Sequence, residues 1–374
     1  MSTEPTQQTP SSSPDAAPPA RSAMTDGATT DRSDADRSAA DRSGADRSAA
    51  DRSGADRSGA DLRAAFGHVR AEVGKAVVGQ DGAVSGMIVG LLAQGHVLLE
   101  GVPGVAKTLL VRSLAASMSL DTKRIQFTPD LMPGDVTGSL VYDASSGTFP
   151  FREGPVFTNV LLADEVNRTP PKTQSALLEA MEERQVSVDG GAHVLPDPFF
   201  VAATMNPIEF EGTYTLPEAQ LDRFLMKLTM DIPPRDVEFQ VLRRHADGFV
   251  ARDVSSAGIV PVIGVDEVRA AQRAVRAVGA RDDVLAYVVD LARATREAPS
   301  VRVGVSPRGA TALLAAAKAW AWITGSDAIT PDHVQAMATP VWRHRLRIAP
   351  DAELEGVGAD AVLRQVLQQV RVPI

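Results

Sequence analysis

Cysteine is absent from this 374-residue chain. That excludes disulfides, iron–sulfur clusters and thiolate zinc sites together. Aromatic residues are scarce at 5%, so a core drawn from the 44% hydrophobic fraction must rest on Leu, Val, Ile and Ala. Long apolar runs are missing too. None approaches the ~18 residues of a membrane span, and the N-terminus MSTEPTQQTPSSSPDAAPPARSAM has no apolar signal-peptide centre. These absences set the expectation of a soluble, cytoplasmic protein. Positive charge is in deficit, with a net −9. Gripping nucleic acid needs clustered Lys and Arg against phosphates, which argues against nucleic acid as the main partner. The six histidines are scattered without metal-ligand spacing.

What is present divides unevenly. Residues 1–62 are rich in Ser, Thr, Pro and Ala, then repeat Asp-Arg-Ser-x-Ala from Asp31, Asp36, Asp41, Asp46, Asp51 and Asp56. A period of five builds no apolar face, and large apolar residues are nearly absent before Leu62 and Phe66. Such a segment buries too little to offset its ordering entropy, so it is expected to be a disordered tail. A solvating extension and a regulatory tail phosphorylated on its serines both fit it. Residues 63–233 are expected to form a nucleotide-binding core and 234–374 a helical lid.

The core's first motif is GHVLLEGVPGVAKTLLVRSLAASM from Gly95. An apolar strand leads into a turn-rich loop, Gly101-Val102-Pro103-Gly104-Val105-Ala106-Lys107-Thr108, and Leu109 opens a helix-spaced apolar run. Strand, glycine loop, Lys-Thr and helix is the context of a P-loop. Backbone N–H groups and the helix N-terminus then make an anion site. Lys107 would reach the β- and γ-phosphates, and the Thr108 hydroxyl would ligate Mg²⁺. Ala106 stands where a glycine is usual, which is acceptable if that residue has negative φ. Alone, the loop also fits a chance Gly-Pro turn between strand and helix.

The second motif is the apolar run Thr158-Asn-Val-Leu-Leu-Ala ending in Asp164 and Glu165. Adjacent carboxylates at the end of a buried strand suit a metal site. Asp164 would hold Mg²⁺, mostly through water. Glu165 would serve as general base toward an attacking water. A third run, Phe199 to Thr204, leads to Asn206, placed to orient that water; the alternative is an asparagine capping the turn before Pro207. Open α/β sheets bind ligands at such strand ends.

Together these residues resemble the MoxR family of AAA+ ATPases, from about Val69 to Ile374. The most specific stretch is Leu161-Leu-Ala-Asp-Glu-Val-Asn-Arg168-Thr-Pro-Pro-Lys-Thr-Gln-Ser-Ala-Leu-Leu-Glu-Ala-Met-Glu-Glu-Arg184. Val78-Gly79-Gln80, Phe127-Thr-Pro-Asp-Leu-Met-Pro-Gly-Asp135, Leu216-Pro-Glu-Ala-Gln-Leu-Asp-Arg223-Phe and Gly304-Val-Ser-Pro-Arg308-Gly are similar too. The resemblance implies an α/β fold: a five-stranded parallel sheet with helices on both faces, β-hairpin insertions and a small helical lid. It adds Gly79 and Gln80 to the ATP-binding residues Gly101–Leu109. It makes Arg308 a sensor that touches the γ-phosphate of its own subunit, and Arg223 a finger that reaches a neighbour's nucleotide, with Arg168 as the other finger candidate. It further implies a ring, hexameric in kind, von Willebrand factor A domain partners and protein clients. The rivals left open are a metal-chelatase motor subunit, a nucleic-acid motor and an ATP-binding scaffold without turnover.

Pattern supports the implied fold independently. Thr169 before Pro170 and Pro171 predicts a helix start, continued through Ser175 to Arg184. Val186–Val188 and His193–Leu195 around Gly190 predict a hairpin, as do Ser139–Tyr142 and Thr148–Phe151 around Gly147. Helical spacing is expected over 236–248, 266–278, 282–297, 307–323 and 331–346. Trp320 and Trp322 are expected in the lid's packing. The basic run Arg343–Arg347 is expected as a solvated face or a subunit contact.

Overall fold

Five short strands pair into one parallel sheet, apolar except for the polar edge strand β2: β1 Val97–Glu100, β2 Thr122–Gln126, β3 Val160–Asp164, β4 Phe200–Met205 and β5 Met226–Thr229. This computed structural model describes residues 58–206, 214 and 216–373. The repeat region before residue 58, expected as a disordered tail, lies outside the described residues. The strand order is β2-β3-β4-β1-β5. A parallel sheet buries both faces, and β3 is buried at every position. Its Leu161 and Ala163 join one apolar cluster with Leu177 and Phe224. Its Val160 and Leu162 point to the other face and join the cluster of Leu110, Leu114 and Phe200.

Because all strands run the same way, their carboxyl ends share one edge. Gln126 stands beside Asp164, and Ala163 beside Ala203, one residue before Thr204. On the far side of β4, Leu99 stands opposite Thr204. The polar strand ends read from sequence therefore converge on one rim.

The helix Gly59–Ala76 begins inside the last pentad, earlier than the border expected at residue 62. Ser58 caps it reciprocally with Asp61, and Leu62, Phe66, Val69 and Val73 form a buried stripe. A reciprocal cap followed by an i, i+4, i+7 stripe is sufficient cause. Phe66 meets Trp322 edge-on at 5.8 Å, tying this helix to the C-terminal helices.

The helix after the two prolines spans Pro171–Glu183. The hairpin after it pairs Gln185–Val188 with Gly191–Val194. The other expected hairpin is present too: its strands are Gly138–Leu140 and Phe151–Glu153, overlapping the expected segments at Ser139, Leu140 and Phe151, with a further bridge at Asp143 and Thr148. Asp143 accepts from Ser145 and Ser146 at that tip and shapes the turn instead. Helices then follow at Arg235–Ala246, Val265–Arg276, Asp282–Glu297, Pro307–Ile323 and Pro331–Trp342, with Ala359–Gln369 after them. Trp322 is buried and Trp320 partly so. The apolar residues of these helices, apart from the exposed Arg235–Ala246, join the cluster on one face of the sheet, so no gap in packing separates lid from core.

The basic run Arg343–Arg347 corrects the expectation of a solvated or intersubunit face. Arg345 is only 4% exposed at its side chain and bonds Asp222, Phe224 and Leu225. Arg343 bonds Asp360 and Thr229. The run stitches the helical region to the loop before β5. Only Arg347, paired with Glu218, remains at the surface.

Candidate functional site

The loop after β1 turns tightly before the helix Lys107–Ser117. A Cβ on Gly101 would lie 2.5 Å from the Met230 carbonyl oxygen, and Gly104 has φ +90°. Ala106 has φ +69°, which overturns the expectation of negative φ there. The left-handed turn swings the chain into the helix, and an L-residue accepts it at about 1–2 kcal/mol. No side chain caps this helix, so its first N–H groups face the cavity with the dipole's positive end. Lys107 folds over the loop, its Nζ donating to the Gly101 carbonyl and, at 3.5 Å, to that of Val102.

At the rim, β3 ends in Asp164, and Glu165 takes φ +59°. A non-glycine residue held there stores strain of the kind found at functional sites. Thr204 at the end of β4 donates through Oγ1 to Asp164 Oδ1 (2.6 Å) and accepts from the Glu165 backbone N–H (2.9 Å). Arg124 on β2 donates to Asp164 Oδ2 from Nε at 3.1 Å and Nη2 at 2.7 Å, and also to Gln126 Oε1. Gln126 in turn donates to Glu165 Oε2 at 2.6 Å. Arg168 Nε lies 3.3 Å from the same Glu165 oxygen.

Lys107, Thr108, Asp164, Glu165 and Asn206 all line one cavity of about 950 Å³, together with Pro103, Gly104, Ala106 and Leu109. Gly101, Val102 and Val105 frame the loop without reaching the cavity wall. Gly79 and Gln80 do not join it either. They line a second cavity with Asp231–Pro234 and Trp320, and Gln80 Nε2 donates to the Asp231 carbonyl. Reading the sequence missed Arg112, Arg124 and Arg252, which also line the first cavity. Arg124 carries a usable signal, since it and Gln126 alternate onto one face at the end of an edge strand. Arg252 arrives on the loop after the helix Arg235–Ala246 and has no comparable signal.

Arg223 and Arg308 sit elsewhere. Glu182 takes Arg223 Nε at 3.0 Å on one oxygen and Arg308 Nη1 at 3.3 Å on the other. They line a cavity of about 360 Å³ with Arg184, Asp222 and Arg345, and no residue lines both this cavity and that of Lys107. Arg308, expected to touch a γ-phosphate beside its own Lys107, therefore does not share a cavity with Lys107 in this chain. The helix it opens, Pro307–Ile323, packs on the helices Asp81–Leu92 and Pro331–Trp342, away from the loop. His96, at the floor of this second site, accepts from Val201 N–H at Nδ1 and contacts the Met181 carbonyl through Nε2. Burial pushes its pKa down to about 4, assisted by nearby Arg184.

Among the described residues no group of three or more His, Asp or Glu side chains forms a metal cage. Thr108 and Asp164 offer hard oxygen donors, which suits a Mg²⁺ completed by substrate phosphates and water. No helix among the described residues is long and apolar enough to cross a membrane.

Residues 96–226 match the family described as ATPases associated with various cellular activities, and residues 293–366 match the AAA lid domain. Protein YeaC of Bacillus subtilis is 47% identical, the match covering 84% of this chain and 96% of that protein. Chaperone MoxR1 of Mycobacterium tuberculosis is 42% identical over 81% of each chain. A solved structure from Cytophaga hutchinsonii superposes with a TM-score of 0.78 at 38% identity, covering 84% of this chain and 97% of its own.

Proposed function

The chain belongs to the MoxR-type AAA+ ATPases, and from that premise we propose that it binds ATP with Mg²⁺ at the strand ends, hydrolyses it, and completes its site with a neighbouring copy. The observation that carries the reading is the convergence of Lys107, Thr108, Asp164, Glu165 and Asn206 on one cavity beside an uncapped helix N-terminus.

In this reading the loop N–H groups and Lys107 hold the phosphates, with Pro103, Gly104, Ala106 and Leu109 shaping the wall. Thr108 and Asp164 hold Mg²⁺, which when bound supplies neutralisation of the phosphate oxygens. Asn206 orients a water, and Glu165 takes its proton as the water oxygen bonds to the γ-phosphorus. The bond from that phosphorus to the β–γ bridging oxygen breaks, leaving ADP and phosphate. Gly79 and Gln80 face a neighbouring cavity, and their part is to fix the segment around Asp231.

Arg223 and Arg308 act in trans. Both are held by Glu182 away from Lys107, so the nucleotide they serve is that of an adjoining subunit. A guanidinium on the γ-phosphate oxygens contributes about 10³–10⁵ in rate. This incomplete site supports a ring, hexameric by family likeness. The likeness to a protein named as a chaperone supports remodelling of protein clients; a cytoplasmic location and a von Willebrand factor A domain partner rest on the family resemblance alone.

The test is paired. Lys107→Ala is expected to abolish ATP binding, while Glu165→Gln keeps binding and loses turnover. Normal turnover in the glutamine variant, or unchanged affinity in the alanine variant, would sink the assignment.

A further inference from the structure

We propose that Arg124 is a positioning residue of the nucleotide site: it shares Asp164 with the metal and sets how strongly nucleotide binding depends on magnesium. The inference rests on the proposed function of the Lys107 cavity and deepens it.

Asp164 is nearly buried, its side chain 10% exposed. Its Oδ1 is taken by the Thr204 hydroxyl at 2.6 Å. That leaves Oδ2 for the cavity, and Arg124 donates to this oxygen through both Nε and Nη2. Arg124 itself lines the cavity with Lys107 and Thr108, its side chain 50% exposed. Anything in the cavity that needs Asp164 therefore meets Arg124 first. The guanidinium is fixed from two sides, because Nη2 also donates to Gln126, which carries Glu165.

Two electrostatic consequences follow. A shielded carboxylate facing a triphosphate repels it, and an adjacent guanidinium offsets that repulsion. Arg124 therefore favours the bare nucleotide. The same guanidinium occupies the oxygen that a metal-bound water would use, so it opposes the metal. Both effects make nucleotide binding less dependent on magnesium than Asp164 alone would make it. An ion pair that merely supports the fold would leave that dependence unmoved.

The test measures the affinity of the full chain for a non-hydrolysable ATP analogue, once with magnesium and once with EDTA. The readout is the ratio of the two dissociation constants. Arg124→Gln is expected to raise the ratio of EDTA to magnesium dissociation constants roughly tenfold, within the usual range of coupling between sites. Arg124→Lys keeps the charge but not the two-nitrogen grip, and is expected to raise the ratio by a smaller factor. A ratio in Arg124→Gln equal to or below that of the native chain overturns the proposal, as does a larger effect for lysine than for glutamine. Should Arg124→Gln fail to fold on thermal melting, the lysine variant decides alone, and an unchanged or lowered ratio there overturns it. A native chain that does not bind the analogue with magnesium or with EDTA refutes the proposed function instead.

Discussion

The cavity around Lys107 and the cavity around Glu182 are both lined by arginines and carboxylates, yet they are assembled in opposite ways. The first is made chiefly at the ends of parallel strands, so Lys107, Thr108, Asp164, Glu165 and Asn206 lie in short, contiguous motifs. The second draws Glu182 from the end of one helix, Arg223 from the turn before β5 and Arg308 from the first turn of another helix. In the first, polar side chains line a large open space. In both, arginines are tied to carboxylates, but in the second the space is smaller and Arg345 is nearly buried among them. The difference fits the proposed division of labour, in which one face receives the nucleotide and the other presents cations to a neighbouring copy.

The sharpest way to break that division is a mixture of two variants. Arg223→Ala and Glu165→Gln are each expected to lose most activity, about 10³–10⁵ for the arginine and about 10²–10⁴ for the general base. Co-assembled, subunits with an intact Glu165 gain Arg223 from their neighbours, and ATPase assays are expected to recover part of the rate. Mixtures that stay inactive would place Arg223 in cis or in a structural role. Arg308→Ala, mixed with Glu165→Gln in the same way, tests whether the two arginines held by Glu182 act together.

Removing a partner on the arginine side sharpens the comparison in stability instead. Asp222→Ala leaves Arg345 buried without its carboxylate, which costs about 3–5 kcal/mol when a buried pair is broken. Denaturant melts are expected to show that loss. The equivalent change at Asp164 leaves a cation that can turn toward its open cavity, so its loss is expected to be smaller. Equal losses would remove the distinction between the two sites.

His96 gives a pH signature to the same region. Its folded pKa of about 4 lies below the ordinary value of 6.5, so the unfolded chain binds more protons between the two. The contribution is whole above pH 6.5 and is lost progressively as pH falls toward 4, by roughly 3 kcal/mol in all. His344, also buried and pushed down by burial and by Arg345, adds in the same direction. Melting temperature across that range checks this, and His96→Gln is expected to flatten it. The smallest effect belongs to the loop: Ala106→Gly relieves a left-handed alanine and is expected to stabilise by about 1 kcal/mol or less, since glycine also costs unfolded-state entropy.

Much of the Lys107 cavity was legible because each motif carries its own geometry. A strand followed by Gly-x-Pro-Gly and Lys-Thr can make few other things, and two acids closing an apolar strand mark a rim. The positive φ at Ala106 was not legible, because the conformation of a loop residue depends on where strand and helix are pinned. Arg112 and Arg252 were not legible because neither sits in a motif; one lies along a helix and the other on a distant loop. The basic run at Arg343–Arg347 misled for a related reason. Charge alone suggests solvent, but Arg343 meets Asp360 on the last helix, and Asp222 and two backbone carbonyls about 120 residues away in sequence receive Arg345.

The sequence by itself determined the chemistry of the first site and the strands that carry it, since backbone periodicity turns neighbouring residues into neighbours in space. Only the tertiary structure decided which cavity Arg308 belongs to, and that Asp164 is shared with Arg124. Those facts depend on how the C-terminal helices pack on the sheet and on the register of β2 against β3. Both are set by burial summed over many residues rather than by any local pattern.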